Sequence, residues 1–105
     1  MSRPRPLCIV DYGAGNLRSV QKAFEHVGVE AVISSDPLSL ASAPALVLPG
    51  VGAFGAAMQR LDRHGLGEAL VDRIKAGVPF LGVCLGLQVL FEGSEEDPGV
   101  PGLGL

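Results

Sequence analysis

The sequence predicts an α/β domain built on a doubly wound, mostly parallel sheet. Three observations carry that expectation. Short apolar runs alternate with segments whose apolar residues recur at helical spacing, and the runs end in glycine-bearing loops. One run, Ala45 to Leu48, holds no polar residue at all, the pattern of a strand buried on both faces. In such sheets ligands bind at the carboxyl ends of the strands.

The first strand is the run Leu7 to Val10, which stops at Asp11-Tyr12-Gly13-Ala14-Gly15-Asn16. Leu17, Val20, Ala23, Phe24 and Val27 then recur on one face of a helix whose other face carries Arg18, Gln21, Lys22 and Glu25. Asn16 suits the N-cap, because its side-chain oxygen can accept a free amide, and Gly28 suits the C-terminal stop. A second strand, Glu30 to Ile33, follows at once. Asp36-Pro37 and Ala43-Pro44 punctuate a weak connecting segment, and the strand at 45–48 is interior. Beyond the glycine-rich stretch 50–55, two helical segments flank His64; the second carries Leu66, Ala69, Leu70 and Ile74 and ends with Arg73, Lys75 and Gly77. Pro79 opens the fourth apolar run, 79–83. Parallel strands therefore bring the loops 11–16, 49–55 and 82–86 to one edge. Residues 93–105 are turn-rich and end without a closing element, so 1–105 is expected to be the amino-terminal part of a single domain. Its fourth strand is then an apolar edge that invites association.

Composition removes several classes of function. Eleven acidic against eight basic residues, with no basic cluster beyond Arg3 and Arg5, leave no footprint for nucleic acid. Cys8 and Cys84 make no disulfide scaffold and no Cys/His spacing suits zinc, so a reducing cytoplasm, no metal and no cofactor are expected. Residues 37–59 are uncharged, yet their prolines and glycines break any membrane-spanning helix, and Asp11 cuts the first apolar run too early for a secretory signal. No membrane association is expected.

The chemistry centres on Gly82-Val83-Cys84-Leu85-Gly86, where a thiol stands between an apolar run and a plausible helix. That is the pattern of a nucleophile on a sharp strand-to-helix turn, small neighbours letting the backbone bend. The start of the helix favours a thiolate by about 0.3–1 kcal/mol, up to about 2 when partly buried, which is too little at neutral pH without a neighbouring base. In Gly50-Val51-Gly52 small residues free a backbone amide to face a developing oxyanion, paired with the amide after the nucleophile. Val51 and Leu85 would be the donors, each worth about 2.7–4 kcal/mol in acyl transfer. Taken singly, these features also fit an ordinary turn and a buried thiol acting as a small hydrophobe, the role expected of Cys8 inside its strand. Gly50 to Gly55 further matches G-x-G-x-x-G, but a dinucleotide site needs an acidic residue at the end of the next strand, which here ends Gly82-Val83-Cys84. Neither histidine is placed as a base: His26 ends a helix about 15 Å from the Cys84 edge, and His64 suits a solvated helix terminus.

Together, DYGAGNLRSV, LPGVGAFG and GVCLGLQVLFEGSEE closely resemble the amino-terminal half of the glutamine amidotransferase subunits of imidazole glycerol phosphate synthase, a class I, triad-type branch. The resemblance covers the whole chain; Leu87 stands where methionine is more usual. It implies a truncated flavodoxin-like fold and a glutaminase of histidine biosynthesis, with glutamine as substrate and a cyclase subunit as heterodimer partner. It also implies Cys84 as nucleophile, Gly50, Val51, Gly52 and Leu85 around the oxyanion, and Gln88 holding glutamine. Asn16 and Arg18 would face the cyclase, and Glu95 and Glu96 a solvated turn or a partner. The family's catalytic His and Glu lie beyond these residues, so the 105-residue chain alone is expected to hydrolyse glutamine negligibly. The alternatives are the glutaminase of another synthase, such as that making pyridoxal phosphate, and a non-catalytic α/β module with a packing or redox cysteine.

Overall fold

A computed structural model describes residues 6–13, 16–50, 54–63, 65–83 and 102–104. Four strands, β1 (Leu7–Val10), β2 (Ala31–Ser34), β3 (Leu46–Leu48) and β4 (Phe80–Gly82), form a sheet in the order β2-β1-β3-β4, and every pairing is parallel. The expected doubly wound architecture is present. The two central strands come from the most apolar runs: Cys8, Ile9 and Val10 of β1 and Leu46, Val47 and Leu48 of β3 are all buried. At the flanks, Val32 of β2 is 44% exposed and Leu81 of β4 51% exposed.

Pleating sends alternate residues to opposite faces. Cys8, Val10, Leu46, Leu48 and Phe80 join Leu40, Leu61, Leu66 and Leu70 in one cluster beneath α2 (Pro37–Ser42), α3 (Phe54–Arg63) and α4 (Leu66–Lys75). Ile9, Ile33 and Val47 turn the other way and meet Leu17, Val20 and Phe24 of α1 (Leu17–His26). Each leucine fully buried in this way contributes about 1.5–3 kcal/mol.

The expected ends of α1 are in place. The Asn16 side chain accepts the Ser19 amide at 3.3 Å, and Gly28, with φ +85°, donates its amide to the Glu25 carbonyl at 3.0 Å. Gln21 donates from Nε2 to the Ala31 carbonyl at 2.9 Å, fastening the helix to β2.

Two expectations need correction. The segment after Asp36 is a helix of its own, α2, because the Asp36 carboxylate accepts the Leu38 amide at 2.9 Å and Pro37 takes the first helical position, where a missing N–H costs nothing. Leu40, fully buried, anchors it. β2 runs one residue later than the expected Glu30 to Ile33, spanning Ala31–Ser34, since its register with β1 runs from Leu7 opposite Ala31 to Val10 opposite Ser34. Elsewhere the boundaries move by a residue: β3 starts at Leu46, and β4 spans only the middle of the run 79–83.

The two helical segments expected after the glycine-rich stretch are α3 and α4, separated by Gly65 at φ +68°. Arg73 of α4 donates from Nη2 to the Ala43 carbonyl at 2.8 Å, tying α4 to the end of α2. Leu103 returns to pack on the same cluster beside Gly67. No described helix is long and apolar enough to cross a membrane.

Candidate active site

Because the strands are parallel, the loops leaving β1, β3 and β4 emerge at the same edge. The first is stiff. The Asp11 amide donates to the Ser34 carbonyl at 2.9 Å, extending the β1–β2 ladder by one bond, and the Asp11 carboxylate accepts the Gly13 amide at 3.1 Å. Gly13 then turns the chain at φ +87°, a conformation glycine adopts without strain.

Between these two residues the alternation of β1 carries on: Cys8, Val10 and Tyr12 share one face and one buried cluster. Tyr12 is 1% exposed, and its hydroxyl donates to the Pro49 carbonyl at 2.7 Å. Burial pushes the phenol up to about 12, the nearby Arg60 guanidinium pulling slightly the other way. At neutral pH it is a protonated donor.

The second loop begins at Pro49 and Gly50, both buried at the end of β3. The third begins at Val83, whose amide donates to the Leu48 carbonyl at 3.1 Å. That bond sets the residue preceding Cys84 beside the chain that enters Gly50. The ends of β3 and β4 are thereby held side by side.

Of the residues the sequence singles out, Gly50 lies at the end of β3. Asn16 and Arg18 are exposed at the start of α1, on the same edge. Val51, Gly52, His64, Cys84, Leu85, Gln88, Glu95 and Glu96 lie outside the described residues. His26 ends α1 at the opposite end from Asn16, as expected. Cys8 is 1% exposed within β1, and burial raises its thiol above the ordinary value, which suits a small hydrophobe and not a nucleophile. Sequence reasoning missed Tyr12, although its even spacing from Cys8 and Val10 carried the signal. Among the described residues no group of three or more His, Cys, Asp or Glu could hold a metal ion.

The family described as glutamine amidotransferase class-I matches residues 8–97. Imidazole glycerol phosphate synthase subunit HisH of Methanothermobacter thermautotrophicus is 58% identical over 99 residues, covering 94% of this chain and 49% of that protein. The subunit of the same description from Gloeobacter violaceus is 50% identical over 105 residues, covering 100% and 46%. The chain spans about half the length of these curated relatives. A crystal structure of a glutamine amidotransferase shares the fold, with a TM-score of 0.79 at 24% identity over 94% of this chain and 52% of that one.

Proposed function

This chain belongs to the class-I glutamine amidotransferase family, and from that premise we propose that it is the nucleophile-bearing, amino-terminal part of the glutaminase subunit of imidazole glycerol phosphate synthase. The Cys84 thiolate attacks the side-chain carboxamide carbon of glutamine. The tetrahedral oxyanion is received by the amides of Val51 and Leu85 and collapses as its nitrogen takes a proton from the catalytic histidine, expelling ammonia and leaving a glutamyl thioester. Water then releases glutamate and the free thiol. Gln88 holds the substrate, while the exposed Asn16 and Arg18 face the cyclase that takes up the ammonia. The catalytic His and Glu come from the remainder of the longer, cytoplasmic subunit, which works as a heterodimer.

The Val83–Leu48 hydrogen bond carries this reading, because it brings the entrance to Cys84 against the entrance to Gly50. The similarity to HisH subunits selects this branch over other glutaminases. The test is Cys84→Ala in the full-length subunit with its cyclase. Glutamine-dependent synthesis should fall by at least about 10³-fold while ammonia-dependent synthesis persists. Retained glutamine hydrolysis would end the proposal.

A further inference from the structure

We propose that Tyr12 is a positioning residue for the oxyanion loop: its hydroxyl holds the Pro49 carbonyl and so orients the peptide plane from which Gly50-Val51-Gly52 departs. This rests on the reading above that the loop supplies an oxyanion donor.

The bond joins loops from neighbouring strands, β1 and β3, across 37 positions of sequence. Proline makes residue 49 an apt handle. Its ring fixes φ and removes the N–H, so its backbone keeps one soft dihedral, ψ, and its carbonyl is its only polar group. A hydrogen bond to that carbonyl restrains the remaining dihedral.

In a trans peptide the carbonyl and the following N–H point to opposite sides of the chain, and no described peptide is cis. Anchoring the Pro49 carbonyl therefore turns the Gly50 N–H away from the Tyr12 ring and prevents the plane from rotating. The donor end is equally fixed. The ring is packed in the cluster that holds Leu48 and Leu61, and the turn beyond it is pinned by the Asp11–Gly13 bond. Glycines at 50 and 52 give the loop freedom; the hydroxyl takes some of it back at the point where the loop leaves the sheet. Without it, the buried Pro49 carbonyl must turn to find another donor, and the Gly50 amide turns with it, re-aiming the backbone that leads to the Val51 donor.

The experiment compares Tyr12→Phe with wild type in the full-length subunit bound to its cyclase. A misaligned donor predicts kcat for glutamine hydrolysis lower by about 10-fold, short of the 10²–10³ lost when a donor is deleted, with KM changed by less than about two-fold. Glutamate γ-semialdehyde, whose adduct with a thiolate carries a tetrahedral oxyanion, should bind more weakly by the same factor, whereas glutamate should bind unchanged. Ammonia-dependent synthesis should persist, and 3-fluorotyrosine at position 12, which keeps the hydroxyl, should retain wild-type kcat. Wild-type kcat and aldehyde affinity in Tyr12→Phe would overturn the proposal, as would equal losses for glutamate and aldehyde, the sign of a loosened fold. Cys84→Ala run alongside separates the two ideas. If it still hydrolyses glutamine, the functional reading fails; if it is inactive while Tyr12→Phe matches wild type, only the positioning role fails.

Discussion

On the face of the sheet that carries α2, α3 and α4, Cys8, Val10, Tyr12, Leu46 and Leu48 are at most 1% exposed and meet equally buried leucines at 40, 61, 66 and 70. On the other face α1 buries none of its residues fully and covers Ile9 and Val47 with the partly exposed Leu17, Val20 and Phe24. The difference separates two tasks. The thick layer grips the backbone at the exit of β1 and, through Tyr12, the exit of β3. The thin layer leaves Asn16 and Arg18 in solvent.

Substitutions can break or sharpen this contrast. The largest effect is expected from Leu61→Ala, which opens a cavity in the thick layer and should cost about 2–5 kcal/mol in denaturant unfolding. A loss no greater than that of Val20→Ala would erase the distinction.

Alkali comes next. The phenol of Tyr12 titrates near 12 in the folded protein against an ordinary value of 10.0, so its contribution to stability is complete below pH 10 and disappears as pH rises towards 12. Cys8, raised from 9.0 by the same burial, adds a loss of the same sign above pH 9. Tyr12 is the one tyrosine of the chain and there is no tryptophan, so the tyrosinate absorbance reports this group alone. A midpoint near 10 would mean that the ring is solvated and the thick layer does not close over it.

On the α1 side, Val20→Ala removes partly buried methyl groups and should cost about 1 kcal/mol by the same denaturant assay. Smallest is Asn16→Ala, which deletes an exposed N-cap bond and is expected to cost about 0.5 kcal/mol, the low end for such caps. A loss above about 2 kcal/mol would show that the thin layer is anchored far more firmly than its packing implies.

Much of this frame was legible in the sequence because burial on both faces leaves runs without polar residues, as at 45–48, and because Asn16 and Gly28 are suited to the two ends of a helix. α2 was not. Its six residues are too few to display a helical period, and Asp36-Pro37, which reads as a loop signal, serves equally as a cap followed by a first-turn proline. The limits of β2 depend on its ladder with β1, so its own residues could not fix them to the residue.

At the site, the glycine-framed thiol and the Pro49–Gly52 loop were recognisable as motifs, and parallel strands bring their entrances to a common edge. The Tyr12–Pro49 bond was hidden for a different reason. It joins a residue that looks like part of a loop to a backbone oxygen, and no side-chain pattern announces a backbone acceptor.

The strand order has a last consequence. From the central pair of strands the chain winds outward in opposite directions, β1 to β2 through α1 and β3 to β4 through α3 and α4, so the junction of β1 and β3 is the topological switch point where nucleotides settle in many open sheets. In this molecule the Tyr12 ring is buried on the helix-rich side of that junction, and its hydroxyl is hydrogen-bonded to the Pro49 carbonyl just beyond β3. A side chain from just beyond one central strand thus latches the backbone leaving the other.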